Sequence, residues 1–319
     1  MESVNKFQSL VILLMVAIGI LLGQIGFVQT YSEYLITPFL MVMLFLVFLQ
    51  IPLKDILKSF KNLKFTLTAV IINFKFLILV LGRLFLGNHP ELLIGYIMLM
   101  VTPCTDWYLI FTGISKGNMA LGSSILPLNL VLQLVLLPVY VFLIGGSSVD
   151  MNTMQLVKGV VSTLIIPLLC AIIIRKIIIN KIGQEDFEEK VATKACDYQG
   201  YFLNAAIVSM FASQGKILLE NIQVLLILLI PVLLFFVINF CVGRLVGRVM
   251  KLNYEDSVAL NLTTLARNSP IALAIAVATF PDRPLISLAL IIGPLIELPV
   301  LFLIAKILLN IREKQLKIA

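Results

Sequence analysis

The chain has 319 residues, of which 60% are hydrophobic and 13% charged, and its mean hydropathy is +1.07. Because an ordinary soluble domain is about a quarter charged, this composition excludes a soluble globular protein and predicts a protein embedded in the lipid bilayer. The formal net charge of +7 does not indicate a nucleic-acid partner, since the basic residues cluster in alternate loops, as in the positive-inside pattern.

Apolar stretches of about 20 residues, long enough to cross about 30 Å of hydrocarbon as helices, recur along the chain. We predict ten transmembrane helices, at residues 7–28, 35–51, 65–86, 92–114, 119–144, 154–177, 197–213, 221–247, 256–280 and 285–310. No cleavage site follows the first stretch, so we expect it to be retained. Lysine and arginine concentrate after spans two, six and eight, which places these loops and both termini in the cytoplasm.

An even split of the spans gives two halves of five helices, at residues 1–145 and 150–312, which lie inverted relative to each other in the membrane. Inverted repeats are typical of secondary transporters. The sequence supports the repeat weakly, because LPVYVFLI at 137–144 in span five resembles LPVLFLI at 298–304 in span ten.

Spans four and nine occupy corresponding places in the two halves, and both are interrupted by helix breakers and polar residues. The interruptions are TPCTD at 102–106, with Pro103, and ARNSP at 266–270, with Pro270. A proline removes a backbone hydrogen bond, and freed polar groups at membrane depth are tolerated only inside protein or along a cavity. Paired broken helices therefore predict the transport site.

Four ionisable residues lie too deep in their predicted spans for the side chain to reach the membrane surface: Lys75, Asp106, Arg267 and Glu297. Each costs about 2.5–3.5 kcal/mol to insert unless it is paired or hydrated. Since buried ion pairs contribute little to stability on average, we expect Asp106 or Glu297 to serve function, as carriers of a coupling proton.

Further polar groups accompany the two interruptions. Asn129 and Gln133 share a face of span five, and Asn261, Thr264 and Asn268 share a face of span nine, where hydrogen bonding between helices is the simpler interpretation. Cys104 stands beside Pro103, and a thiolate suits soft ions and metalloids, although a single buried cysteine is more often inert. The four cysteines form no CxxC pair, so we predict neither a disulfide framework, a metal site nor a cofactor.

Four segments together resemble the arsenical-resistance-3 branch of the bile acid and arsenite transporter superfamily, over essentially the whole chain. They are PCT at 103–105, SKGN at 115–118, NSPIALAIAVATF at 268–280 and GPLIELPV at 293–300. The resemblance implies an all-α membrane protein of two inverted five-helix repeats with broken, crossed helices four and nine. It also implies a core domain from spans 3–5 and 8–10, a panel domain from spans 1–2 and 6–7, and a multi-pass location in the bacterial plasma membrane.

The same resemblance assigns functional roles to Cys104 and Glu297 and implies export of arsenite in exchange for protons. The candidate substrate site then comprises Cys104, Thr105, Asp106, Asn129, Arg267 and Asn268, with Glu297 and Asp106 for proton coupling. The chain departs from the branch pattern at Asp106, Trp107 and Arg267. A fixed guanidinium near the span nine break disfavours sodium binding there.

Two other functions stay open at this point. A sodium-coupled importer of a small organic anion would use Arg267 as a clamp for a carboxylate. A membrane-embedded enzyme is disfavoured, because the chain has a single histidine, His89, and contains neither an HExxH motif nor a nucleophile elbow.

Overall fold

The computed structural model describes residues 11, 14–50, 60–73, 77–104, 107–145, 165–220 and 222–318. Within these ranges the regular structure is helical, and the one pairing of the β type is an isolated bridge. Residues 14–22 are helical, and the helices that follow are α1 Gly26–Gln50, α2 Leu63–Asn73, α3 Leu77–Leu86, α4 Pro90–Val101, α5 Trp107–Ile114, α6 Met119–Ser124, α7 Leu126–Gly145, α8 Ile166–Ile182, α9 Gln184–Asp186, α10 Thr193–Glu220, α11 Ile222–Val249, α12 Tyr254–Leu265, α13 Ser269–Thr279 and α14 Pro284–Ile318. A 3₁₀ turn covers Phe60–Asn62, and a π-helical turn covers Phe187–Ala192.

Three segments of these helices are long and apolar enough to cross a membrane, namely Gly26–Gln50, Leu226–Val249 and Pro284–Lys314. A fourth span results if the bent pair Met119–Gln133 and Val135–Phe142 is counted as one.

Local signals set the starts of α6 and α12. Asn118 and Asn253 accept the main-chain N–H groups of Leu121 and Asp256, which satisfies donors that a helix start leaves free.

The chain forms two compact units. The first comprises Met1–Pro52, Val149–Leu225 and Pro270–Ile291, and in it α1 packs against α8 and α10. Glycines let the helical residues 14–22 approach α10 closely, since a Cβ atom at Gly19 would lie 2.6 Å from the Cβ atom of Phe211. Arg175 of α8 donates to the main-chain oxygen of Leu49 at 2.7 Å and pairs with Glu188, which ties α8 to the end of α1.

The second unit comprises Leu53–Ser148, Leu226–Ser269 and Ile292–Ala319. It contains an apolar cluster formed by Phe65, Ala69, Ile72, Ile125, Ala259 and Leu260. α11 approaches α12 through two glycines, because a Cβ atom at Gly243 would lie 2.7 Å from Oδ1 of Asn261 and one at Gly247 would lie 2.6 Å from Oγ of Ser257. This unit contains the ends of α4 and α12, at which the two interruptions that the sequence singles out begin.

Some predicted helix boundaries are wrong. The sequence places a loop at 29–34, whereas the chain turns at 23–25 and α1 runs unbroken from Gly26. This stretch, QTYSEY, is polar and aromatic, and Tyr31 and Tyr34 are exposed on the helix, as aromatic residues at a membrane interface are. The predicted loop at 178–196 is also largely helical. A helix forms its backbone hydrogen bonds internally, whether its side chains are apolar or charged.

Candidate functional site

Both interruptions are real breaks between helices. α4 ends at Val101 and α5 begins at Trp107, and α12 ends at Leu265 and α13 begins at Ser269. Thr102 and Ala266, the residues that end α4 and α12, have extended backbone conformations, as expected for Thr102 because a proline follows it. Pro270 is the second residue of α13, where a missing N–H group costs nothing.

The two breaks pair with each other through their main chains. Pro103 and Arg267 form an antiparallel bridge. The N–H group of Asn268 donates to the oxygen of Thr102 at 2.6 Å, and the N–H group of Cys104 donates to the oxygen of Ala266 at 3.0 Å. Each break thus satisfies polar groups that the other exposes, which is what a break at membrane depth requires.

The side chain of Arg267 closes the ends of two helices. It is 2% exposed, and its Nη1 atom donates to the oxygen of Met100 at 2.8 Å, in the last turn of α4. Its Nη2 atom donates to the oxygen of Thr264, in the last turn of α12, and to Oδ1 of Asn73 at 3.2 Å. A cation at these carbonyl ends compensates the negative ends of both helix dipoles.

Two neighbouring side chains complete this arrangement. The guanidinium carbon of Arg267 lies 4.7 Å from the centre of the Phe235 ring, a cation–π contact. Nδ2 of Asn239 donates to the same oxygen of Thr264 that Arg267 uses. The guanidinium is therefore held by uncharged oxygens and an aromatic face, and most of its donors are occupied by protein.

Glu297 touches the second break from α14. Its side chain is 3% exposed, and Oε1 accepts the main-chain N–H group of Arg267 at 2.8 Å. In this hydrogen bond the carboxylate contacts the main chain of Arg267, whereas the guanidinium bonds to other residues. The ionisable carboxyl group of Glu297 therefore lies beside the second break and is buried from solvent.

The remaining predicted site residues differ in where they lie. Cys104 is buried, is not part of a disulfide and belongs to the paired main chains, as does Asn268. Asn129 is fully buried on α7. Lys75, Thr105 and Asp106 fall outside the described residues.

Asn73, Phe235 and Asn239 contribute to this arrangement, and the sequence reasoning did not select them. A signal for the two asparagines exists, since the tripeptide Ile-Asn-Phe occurs at 72–74 and again at 238–240. An amide within an apolar helix that recurs in both halves marks a position where a helix–helix hydrogen bond is needed. The aromatic partner of the guanidinium carries no such local signal.

Buried breaks that pair through their main chains, next to a buried cation and a buried carboxylate, are features of membrane transporters. Comparison with known proteins agrees. Residues 37–221 match the model of the sodium bile acid symporter family, which is more than half of the chain. The chain belongs to this family. Because it is a family of symporters, the chain is classed with transporters and not with enzymes, as the sequence predicts.

Among curated proteins, the chain is 28% identical over 237 residues to the arsenical-resistance protein Acr3 of Corynebacterium glutamicum, covering 70% of this chain and 64% of that protein. It is 24% identical over 220 residues to the Acr3 protein of Alkaliphilus metalliredigens, covering 68% and 61%. The chain thus matches less than two thirds of the length of these two relatives. These similarities confirm the predicted resemblance to the arsenite branch.

A third relative is named for a different coupling. The chain is 22% identical over 254 residues to the uncharacterized sodium-dependent transporter YocS of Bacillus subtilis, covering 79% of this chain and 76% of that protein. The chain is therefore similar both to proteins named for arsenical resistance and to a protein named as a sodium-dependent transporter.

Proposed function

We propose that the chain is a secondary active transporter that exports arsenite or a related metalloid in exchange for protons. The observation that carries the proposal is the pairing of the two breaks, which brings Cys104, Arg267 and Glu297 to one place. The Acr3 relatives, named for arsenical resistance, supply the substrate class.

The proposal includes the architecture expected from the sequence, with ten spans in two inverted repeats, 1–145 and 150–312, and broken, crossed helices four and nine. Asn73 and Asn239 support the repeat, because they stand in the same tripeptide in spans three and eight and both bond to the turn that contains Thr264 and Arg267. We further propose a core domain of spans 3–5 and 8–10 and a panel domain of spans 1–2 and 6–7, with both termini in the cytoplasm. In the observed packing, residues 270–291 group with the first unit.

Glu297 is the proposed proton carrier, with Asp106 as its partner in that role. When Glu297 is ionised, its charge compensates Arg267, and when it takes up a proton the guanidinium is left without that compensation. An uncompensated cation costs about 2.5–3.5 kcal/mol at membrane depth, so protonation favours states in which the site is hydrated. Proton binding and the opening of the site to water are thereby coupled.

Cys104 is the proposed soft ligand for trivalent arsenic. The resemblance assigns one cysteine to this break. A single thiolate binds arsenite weakly enough to release it, as a transport site must. Thr105, Asp106, Asn129 and Asn268 are the proposed hydrogen-bonding groups around it.

Sodium-coupled uptake of a small organic anion is the alternative, and the relative named as a sodium-dependent transporter favours it. Against it stands Arg267, whose guanidinium already occupies the oxygens of Met100, Thr264 and Asn73. Such oxygens are the ligands that a sodium ion would need.

Transport in proteoliposomes separates the two functions. Purified protein is reconstituted with arsenite inside the vesicles, and a proton gradient, acid outside, or an inward sodium gradient is imposed separately. We expect the proton gradient to accelerate arsenite efflux and the sodium gradient to have no effect. Arsenite efflux that follows the sodium gradient alone would contradict proton coupling, and uptake of a carboxylate such as benzoate that follows sodium would replace the first function by the second.

A further inference from the structure

Within the described part of the chain, eight side chains of the second unit are buried with polar atoms that have no hydrogen-bond partner. Tyr96, Asn261, Arg267 and Ser269 each have one such atom. The atoms of the other four side chains are Nδ2 and Oδ1 of Asn129, Nε2 and Oε1 of Gln133, Nδ2 of Asn73 and Oγ1 of Thr263. Asn129 is 0% exposed and Gln133 1%, so solvent does not satisfy these amides. We call Asn73, Asn129, Gln133 and Thr263 the polar layer.

Three members of the polar layer lie one helical turn beyond the apolar cluster, and Gln133 lies one turn further along α7. Ala69, Ile125 and Ala259 pack together in that cluster. Asn73, Asn129 and Thr263 each follow one of them by four residues and therefore share its face of the helix. The rise of four helical residues places these three side chains about 6 Å from the cluster.

Contacts farther along α2 and α12 give these two helices a common direction. Arg267, just after α12, donates to Asn73 at the end of α2 and to Met100 at the end of α4. α7 starts next to Ile125 of the cluster and packs against α4. α2 and α12 thus lead from the cluster towards Arg267, with Asn73 and Thr263 on the way, and α7 with Asn129 and Gln133 starts at the same cluster.

Leaving these atoms unsatisfied is costly. A buried donor or acceptor without a partner costs about 1–3 kcal/mol, and native proteins leave few of them. A pair of carboxamides on adjacent turns of α7, with all four polar atoms unpartnered, therefore indicates that a ligand supplies the partners.

The chemistry of the polar layer selects the ligand. Each carboxamide offers donors and an acceptor, and the hydroxyl of Thr263 offers both. An anion would leave the amide oxygens unpaired, and the guanidinium of Arg267 is largely occupied by protein oxygens. A cation would meet the charge of Arg267, which bonds to Asn73 in the layer itself. Hydroxyl groups of an uncharged molecule both donate and accept.

We propose that Asn73, Asn129, Gln133 and Thr263 form a binding site for a small uncharged molecule that carries several hydroxyl groups. This inference rests on the proposed function, in which it identifies neutral arsenous acid, and not an anion, as the species recognised. The thiol of Cys104 contacts the arsenic atom, and the polar layer forms hydrogen bonds with the hydroxyl groups.

The test uses the purified full chain in lipid nanodiscs, with arsenous acid, boric acid and benzoate as probes. Boric acid presents the same three hydroxyl groups without an arsenic atom, so it reports on the polar layer independently of the thiol. The variants are Asn129→Leu, Gln133→Met and Thr263→Val, which keep the volume approximately and remove the polar atoms. Asn239→Leu is the matched control, because Asn239 is equally buried but bonds to Thr264.

Without ligand, we expect the three polar-layer variants to unfold at or above the wild-type temperature, because they remove unsatisfied groups, and Asn239→Leu to unfold below it. Arsenous and boric acid should raise the unfolding temperature of wild type, and each polar-layer variant should bind them at least tenfold more weakly. Benzoate should have no effect.

Wild-type affinity for both acids in all three variants would overturn the proposal, and so would a fall in unfolding temperature as large as that of Asn239→Leu. If wild type exports arsenite and the variants export it equally, the proposed function stands and the polar-layer site fails. If boric acid binds in an Asn129-dependent manner while no arsenite is transported, the site stands and the proposed function fails.

Discussion

Nη1 of Arg267 donates to the main-chain oxygen of Met100 across 2.8 Å, and the two residues are 167 positions apart in the chain. The contact joins the second residue after α12 to the last turn of α4, so one side chain secures the ends of two broken helices. Arg267 was selected from the sequence as an unexpected charge, and its contacts give it a structural reason to be there.

Replacing Arg267 by glutamine should destabilise the protein by at least about 3 kcal/mol, because it removes charged hydrogen bonds from the oxygens of Met100 and Thr264 and from Asn73. Denaturant unfolding in mixed micelles measures the change. Arg248→Gln on exposed α11 surface is the control and should change stability by less than about 0.5 kcal/mol. Equal effects of the two substitutions would show that Arg267 is not a structural cation.

Glu297→Gln should leave the fold intact and abolish proton-driven transport. The glutamine oxygen can still accept the N–H group of Arg267, but it cannot take up and release a proton. Arsenite efflux from proteoliposomes under an imposed proton gradient measures the effect, with the exposed Glu255→Gln as a control that keeps the wild-type rate. Wild-type efflux by Glu297→Gln, still responsive to the gradient, would remove Glu297 from the coupling.

Cys104→Ser and Cys104→Ala should both reduce arsenite efflux sharply at matched expression, because a hydroxyl is a hard ligand and a methyl group is none. If Cys104 only fills space, stability falls by at most about 1 kcal/mol and efflux is unchanged. Arsenite accumulation in cells measures the difference, and Cys241→Ser, at an exposed free thiol, is the control. Equal accumulation in cells with all variants and wild type would contradict a role for the thiol.

Gly243→Ala should destabilise the protein by about 1–3 kcal/mol, since the added Cβ atom would lie 2.7 Å from Oδ1 of the buried Asn261. Gly200→Ala is the matched helical control. A Cβ atom there meets nothing within 4 Å, so alanine should stabilise by about 0.5–1 kcal/mol through its helix propensity. Unfolding temperatures that move in the same direction for both variants would contradict the close approach of α11 and α12.

The sequence predicts where the helices break but not what the breaks contact. Proline and polar residues interrupt a helix through local sterics and hydrogen bonding, so the ends at Val101 and Leu265 lie next to TPCTD and ARNSP. The partner of Arg267 could not be chosen from spacing, because Lys75, Asp106 and Glu297 were all possible neighbours by depth. Two of its actual acceptors are main-chain oxygens, which carry no distinctive signal in a sequence, and the third is the amide of Asn73, which is marked by the repeated Ile-Asn-Phe tripeptide.

The asparagines of the two Ile-Asn-Phe tripeptides have opposite roles in hydrogen bonding. Asn73 accepts a hydrogen bond through Oδ1, whereas Asn239 donates one through Nδ2, and both do so at the turn of Thr264 and Arg267. A carboxamide carries both a donor and an acceptor, so the same amino acid meets the need for an acceptor at position 73 and for a donor at position 239.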